Sequence, residues 1–377
     1  LALGPLEALG TLSSLRVHDG GADSLTRLSY APPTYDVEAP HALLAALRGL
    51  LSRPNGVAGA PKSAEWAPAL ADALAATEAA CPPEVRAPLA RMVLALAEAS
   101  TVRELALAEA GGPAAFAELY RALLGDGATY PIGTFTQAMM APVDALSTMK
   151  ARAPLVDGRA LAAMGMAVSD AALALGRALA AAPPFEAPRV ELKTAHGRVI
   201  LNLDARDDRY GDLSDVALLV DLGGSDRYAG RVAAVVHAWA SASVLVDVRG
   251  DDRYGPDMPD LRGAEAGDAF SVVHAMTQGF AVLGAAALVD ASGNDSYRAT
   301  MHAQGSSILG TGALFDLAGD DRYGASGLAQ GEAYAGAALL DDAEGDDEYT
   351  LAIGGQGLGR PKGAAALVDR GGADDYM

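Results

Sequence analysis

The sequence predicts an α+β multidomain chain: an N-terminal all-α helical domain followed by a C-terminal β-solenoid (β-helix) of about seven coils with a 26-residue repeat. Three observations predict it. Residues 37–185 are rich in Ala and Leu, with apolar residues recurring three and four apart, the period of a helix face. Residues 186–377 hold six copies, and a degenerate seventh ahead of them, of one segment that runs apolar strand, Asp, Gly–Asp turn, Tyr. The charge divides at the same place. The 377 residues carry 48 acidic and 28 basic side chains, net −20, and residues 201–377 alone supply 29 of the acids, 25 of them Asp, against 12 bases.

Residues 1–36, with Val17-His18-Asp19-Gly20-Gly21 and Ala31-Pro32-Pro33, read as an extended lead-in without an assignable role. His41–Leu51 forms the first helix, stopped by Pro54-Asn55-Gly56. Ser63–Ala80 and Glu84–Ser100 pair around Cys81-Pro82-Pro83, and Thr101–Ala110 continues to a stop at Gly111-Gly112-Pro113. Ala114–Leu124, Phe135–Lys150 and the alanine-rich Gly158–Ala182 complete a bundle with short connections. Met139, Met140, Met164 and Met166 read as core filler rather than cofactor ligands. Cys81 is the only cysteine, which excludes an intramolecular disulfide, and with no His nearby in sequence it reads as a buried, inert thiol. The chain starts at Leu1 rather than Met, so its N-terminus is expected to be processed or trimmed; a single cysteine fits both a reducing cytoplasm and a disulfide-free envelope protein, and localisation stays open between them, leaning to a secreted or cell-envelope setting. No charge-free apolar run approaches the roughly 18 residues of a membrane span, so no transmembrane segment is expected.

The repeat begins beyond Pro188. Its anchor aspartates are Asp221, Asp247, Asp290, Asp316, Asp342 and Asp369, at steps of 26, 43, 26, 26 and 27 residues. The long step is one repeat plus a 17-residue insertion around Pro256–Asp268. Leu sits two residues before each anchor (Leu219, Leu245, Leu288, Leu314, Leu340, Leu367), and a small residue two before that. That alternation is the period of a strand, with small, Leu and Asp on one face and residues such as Val220, Phe315 and Asp341 facing outward. Gly224, Gly250, Gly293, Gly319, Gly345 and Gly372 mark the turn that follows. A second corner is expected at Gln278-Gly279, Gln304-Gly305, Gln330-Gly331 and Gln356-Gly357.

Stacked coils place identical residues about 4.8 Å apart. Two full aspartate columns result: the anchors, and the turn residues Asp226, Asp252, Asp295, Asp321, Asp347 and Asp374, with Asp251, Asp320 and Asp346 as a partial third. Neighbouring carboxylates at that spacing repel by about 3–4 kcal/mol at an effective dielectric of about 20. Cations between coils, backbone N–H groups at the turns, or protonation would relieve this. Ca2+ suits short, turn-fixed carboxylates because it takes six to eight oxygens in irregular geometry. The two full Asp columns are therefore the candidate metal ligands. Arg227, Arg253 and Arg322 are too few to neutralise them, since Ser296, Glu348 and Asp375 interrupt that column.

The turns resemble the calcium-binding nonapeptide repeats of RTX proteins, closest at Gly223-Gly224-Ser225-Asp226 and Gly371-Gly372-Ala373-Asp374. The resemblance implies turn Asp and Gly carbonyl ligands and calcium-driven folding of an exported protein. It covers only the turns of residues 200–377, one motif per coil, and is a likeness of mechanism rather than of family.

Tyr228, Tyr254, Tyr297, Tyr323, Tyr349 and Tyr376 form another strict column, read as a ladder covering a corner; exposed, such rings would instead be a platform for sugars. The His-Ala dipeptides at His237, His274 and His302 share no column, and of these His274 and His302 are the candidates for catalysis. None of the short hydrolase, zinc-protease or nucleotide-binding motifs is present. The concentrated negative charge argues against nucleic acid as a partner. The leading expectation is a non-catalytic structural or binding module, calcium-stabilised, for recognition or assembly, with a protein partner or homo-oligomer: the bare coil expected at Met377 would invite pairing. One alternative is an enzyme acting on a polysaccharide or peptide along the solenoid face, which would need a cleft pairing His274 or His302 with an outlying carboxylate. The other is an intracellular interaction scaffold.

Overall fold

The computed structural model describes residues 36–39, 41–124, 129–131, 152–256, 269–271 and 275–377. Its helices are α1 Ala42–Ser52, α2 Pro68–Ala80, α3 Pro83–Leu107, α4 Ala117–Leu124 after a 3-10 turn at Pro113–Phe116, and α5 Gly158–Ala181. Most of the lead-in and the helix expected over Phe135–Lys150, with Met139 and Met140, lie outside the described residues. Helix α2 starts later than the composition suggests. Pro68 sits in its first turn, while residues before it strap onto the solenoid: Ala64 N donates to Lys193 O and Ala195 N to Ser63 Oγ, both at 2.9 Å. Asp157 caps α5, its carboxylate accepting from Arg159 N and Ala160 N.

From Val190 the chain winds into a β-solenoid with three faces. One face has eight strands: a hairpin of Val190–Thr194 and Gly197–Asn202, then the anchor strands Val216–Asp221, Ala242–Asp247, Ala285–Asp290, Thr311–Asp316, Ala337–Asp342 and Ala364–Asp369. The second face has seven strands, each starting at or next to a tyrosine of the repeat, and the third has five short ones, from Ala234–Val235 to Leu358–Gly359. On the three faces, all strands after the hairpin pair in parallel and in register with the repeat, so that Asp221, Asp247, Asp290, Asp316, Asp342 and Asp369 face one another in sequence.

Five coils, rather than about seven, carry a strand on all three faces. The degenerate copy and the Asp221 copy contribute to two faces only. Only Gly211–Asp215 separates the strand at Tyr210 from that at Val216, too few residues to cross a third face. The 43-residue step breaks nothing: Asp247 still pairs with Asp290, and Tyr254 with Tyr297. Within the insertion, Ala269–Ser271 pairs antiparallel with Thr129–Pro131 of the helical region.

Among the described residues two large apolar cores dominate. Inside the coils, Leu219, Leu245, Leu288, Leu314 and Leu340 pack against the tyrosines. The residues expected to face outward do so, but not into solvent. Val220, Val246, Val289 and Phe315 are buried in one cluster with side chains of α1, α3 and α5. Helix α5 lies so close to the anchor sheet that a Cβ on Gly165 would come within 2.1 Å of Thr311, and one on Gly176 within 2.7 Å of Val289. By length and composition α5 is apolar enough to cross a membrane, against expectation, but the sheet covers part of that apolar surface. Arg103 of α3 fixes the helices to a solenoid corner, donating to Leu283 O at 2.7 Å, Ala238 O at 2.9 Å and Tyr120 Oη at 2.7 Å. Asp341 takes the outward position of its copy and is buried, and Arg370 of the next coil meets it with bonds of 2.8 and 3.0 Å.

Candidate metal centre: the buried aspartate column

Each motif turns where only glycine fits. At Gly250 φ is +138°, and a Cβ would lie 1.6 Å from Gly224 O; Gly293, Gly319 and Gly345 repeat the contact. This close approach lets the carboxylates of successive coils interleave with backbone amides. Each turn Asp accepts, through Oδ1, the amide of the turn Asp one coil earlier: Asp226 N to Asp252 at 2.5 Å, Asp252 N to Asp295 at 2.6 Å, Asp295 N to Asp321 at 2.6 Å, Asp321 N to Asp347 at 2.7 Å and Asp347 N to Asp374 at 3.1 Å. The partial outer column runs the opposite way. Asp251, Asn294, Asp320 and Asp346 accept amides of the following coil at 2.8–3.0 Å and keep an exposed setting. Adjacent residues of the turn thus grip the coil on either side.

The anchors are held by the tyrosines. Tyr228 Oη donates to Asp247 Oδ2 at 2.5 Å, and Tyr254 to Asp290, Tyr297 to Asp316 and Tyr323 to Asp342 at 2.6 Å each, always across to the next coil. At the first coil Tyr210 donates to Asp221, joined by Asn202 Nδ2 at 3.0 Å. Sequence reasoning found both columns but missed this bond. Its signal was the invariant seven-residue spacing from anchor to Tyr. The rings stack at 4.7–4.9 Å with interplanar angles of 1–7°. They line the interior rather than a corner surface. From Tyr228 to Tyr349 they are buried, so that stretch offers no platform for sugars.

One oxygen per turn remains. Asp226, Asp252, Asp295, Asp321 and Asp347 each have a buried Oδ2 without a hydrogen-bond partner, as do Asp247 and Asp342 at Oδ1. These residues belong to five triads in which one carboxylate oxygen from each member lies within 4.8 Å of the others: Asp226–Asp247–Asp252, Asp252–Asp290–Asp295, Asp295–Asp316–Asp321, Asp321–Asp342–Asp347 and Asp347–Asp369–Asp374. Burial first, and neighbouring carboxylates next, push Asp226 up to about 8, Asp342 to about 9 and Asp321 to about 11. Asp252 and Asp295 rise to about 8 and Asp347 to about 6, again chiefly through burial. Asp247 and Asp290 are raised well above the ordinary carboxylate range, and Asp221, Asp316 and Asp369 are raised too. Arg253 and Arg322 are exposed and make none of these bonds. The turn amides therefore satisfy one oxygen of each turn Asp and leave the other. That oxygen needs a cation or a proton.

The glutamine column has a different task. Gln278, Gln304, Gln330 and Gln356 stand at left-handed φ of 53–57°, each followed by a left-handed glycine, which makes the second corner. Nε2 of the first three bridges two backbone carbonyls, as in Gln304 to Tyr297 O at 3.0 Å and Gly324 O at 3.2 Å. His237 stacks on Trp239 at 5.0 Å, and His274 lies outside the described residues. His302 Nδ1 stands 3.6 Å from Glu332 Oε2, and Arg360 flanks Glu332 at 3.4 Å. Glu332 is an outlying carboxylate, as the catalytic reading asks. Yet the side chains are 1% and 0% exposed, which is not the open cleft a polymer substrate needs. Cys81 is buried and its thiol is pushed up to about 11, as befits an inert cysteine.

No protein-family model matches the chain, and no curated protein or solved structure matches it either.

Proposed function

We propose that the solenoid is a non-catalytic structural module that binds divalent cations, Ca2+ by the chemistry of its ligands, along the aspartate column. The stiffened coils then serve as a surface for recognition or assembly. One observation carries the reading: a buried, partnerless carboxylate oxygen recurs in five successive turns, from Asp226 to Asp347, and the aspartates that carry it belong to triads whose carboxylates approach one another within 4.8 Å at each of five levels. Leaving such an atom unpaired in five successive coils is expensive. The five triads comprise eleven aspartates, so one divalent cation per triad offsets ten of eleven negative charges. Hard oxygen donors without a His or Cys among them favour Ca2+ over transition metals. The same ligand set supports an exported protein that folds where calcium is abundant, and the rigid outer faces support a protein partner or a second copy.

The test is metal content and stability measured together. Purified chain dialysed against calcium is expected to retain about five ions, the number of triads, and to lose thermal stability in excess chelator. A chain that retains no calcium and whose unfolding midpoint ignores the chelator would sink the cation reading. The orphaned oxygens would then share protons, as with Asp247 Oδ1 and Asp252 Oδ2 in one coil.

A further inference from the structure

The levels of the aspartate column are not separate sets of residues. Asp252 stands in the triads of both Asp247 and Asp290, Asp295 in those of Asp290 and Asp316, and Asp321 in those of Asp316 and Asp342. The anchors Asp247, Asp290, Asp316 and Asp342 belong to one triad each. The hydrogen bonds explain the difference. Each turn carboxylate reaches back to the amide of the turn Asp one coil earlier, as Asp321 Oδ1 does to Asp295 N at 2.6 Å, and so comes up against the carboxylate of that residue. The anchors stay within their own coil. Tyr254 Oη and Tyr297 Oη hold Oδ2 of Asp290 and Asp316, and the amides of Ser292 and Ala318 approach their Oδ1 atoms at 3.3 Å. The shared residues are also the ones with an oxygen to spare. Oδ2 of Asp252, Asp295 and Asp321 has no hydrogen-bond partner, although the three residues are only 1–2% exposed.

We propose that the cations of the column form one carboxylate-bridged chain, in which Asp252, Asp295 and Asp321 each ligate the ion of their own level and the ion of the next, so that the occupancy of neighbouring levels is coupled. The proposal rests on the cation reading above and specifies how its sites are linked. Spacing favours a bridge. Successive levels lie about one coil, or about 4.8 Å, apart. Two calcium–oxygen bonds of about 2.3–2.6 Å together span about 4.6–5.2 Å, so a single carboxylate reaches both ions. Charge favours it as well. Two dications at that separation repel strongly in a buried setting, and a carboxylate placed between them is attracted to both. The two kinds of aspartate therefore differ in consequence. Loss of an anchor carboxylate removes a ligand from one level, whereas loss of a shared one removes a ligand from two and takes away the charge that lets neighbouring ions coexist.

The test compares shared with unshared aspartates in the full-length chain. Calcium-loaded protein is passed through a desalting column, and its retained calcium is counted by atomic absorption. Asp290→Asn and Asp316→Asn, which alter one triad each, should lower the count by one ion; Asp295→Asn and Asp321→Asn, which alter two, should lower it by two. Asparagine keeps a carbonyl oxygen for the amide that Asp295 or Asp321 accepts, and circular dichroism checks each fold. Two variants of each kind guard against one that fails to fold. The wild-type chain gives a second measurement. Loaded with Mn2+, which also takes oxygen ligands, it should show a broadened electron paramagnetic resonance signal from ions one coil apart, in place of the sharp hyperfine lines of isolated Mn2+. Equal losses from shared and unshared variants, or sharp lines at full Mn2+ loading, would overturn the bridged chain while leaving the cation column intact. Wild-type protein that retains neither calcium nor Mn2+ removes both readings together.

Discussion

The phenol-to-anchor bond offers a test with its own control built into the fold. Tyr297→Phe removes one hydroxyl and leaves the ring, so the stack, spaced at 4.8 Å on both sides, keeps its packing. What is lost is a 2.6 Å bond from Tyr297 Oη to Asp316 Oδ2, both residues being buried. A hydrogen bond to a charged group contributes about 1.5–3 kcal/mol, and an orphaned buried acceptor costs about as much. The expected loss is therefore about 2 kcal/mol. With a urea dependence of about 3 kcal/mol per M for a large chain, the midpoint should fall by about 0.7 M. Tyr349→Phe removes the same atom from the same ladder, but that hydroxyl has no partner. It should cost nothing and is expected to stabilise slightly, because a buried donor without an acceptor is removed. Urea unfolding of both variants, followed by circular dichroism and tyrosine emission, compares them. An equal loss in the two, or a larger one in Tyr349→Phe, would refute the idea that the hydroxyls earn their place by binding the anchors.

The remaining predictions concern charge and close packing. In chelator, stability should fall as pH rises. The carboxyls of Asp226, Asp252 and Asp295 are raised in the folded chain to about 8, so between about pH 4 and 8 the folded state holds more protons than the unfolded; the stabilisation is complete below the unfolded value and lost through that window. Thermal midpoints at pH 5 and pH 8 measure this, and saturating calcium should weaken or reverse the trend. Gly319→Ala should prevent stable stacking, because its Cβ would lie 1.6 Å from Gly293 O in backbone that cannot retreat; soluble, folded yield is the readout. Arg370→Met should cost about 3–5 kcal/mol by leaving Asp341 charged and buried, and adding Asp341→Val, the residue type of four of the other five copies, should restore most of it in a double-mutant cycle.

The repeat was the most legible part of the chain. A 26-residue step with Asp, Gly and Tyr at fixed offsets is enough to order the strands and set their register, because one slip would turn every Leu and Asp to the wrong face. Three things were less visible. The number of complete coils depends on the short Gly211–Asp215 link, which no motif marks. The burial of Val220, Val246, Val289 and Phe315 depends on α5 folding back onto them, and alternation in a strand distinguishes two faces without saying what covers either. The third is the partner of each carboxylate. Tyr297 and Asp316 lie 19 residues apart, so their bond belongs to the stacking of coils and to no local pattern. The helical stops at Pro54, Pro82 and Gly111 were readable for the opposite reason, since proline and glycine act on their own backbone.

The 17 extra residues between Tyr254 and Phe280 leave Asp247 paired with Asp290 and the rings of Tyr254 and Tyr297 stacked at 4.8 Å. The corner between the second and third faces therefore tolerates new sequence without disturbing the architecture beside it. A foreign loop grafted at the matching point of another coil, between Tyr297 and Met301 and ahead of the Gln304 corner, would be carried at a fixed height along the axis, in steps of one coil. The molecule can in this sense be used as a ruled rod, on which added segments are displayed at chosen intervals.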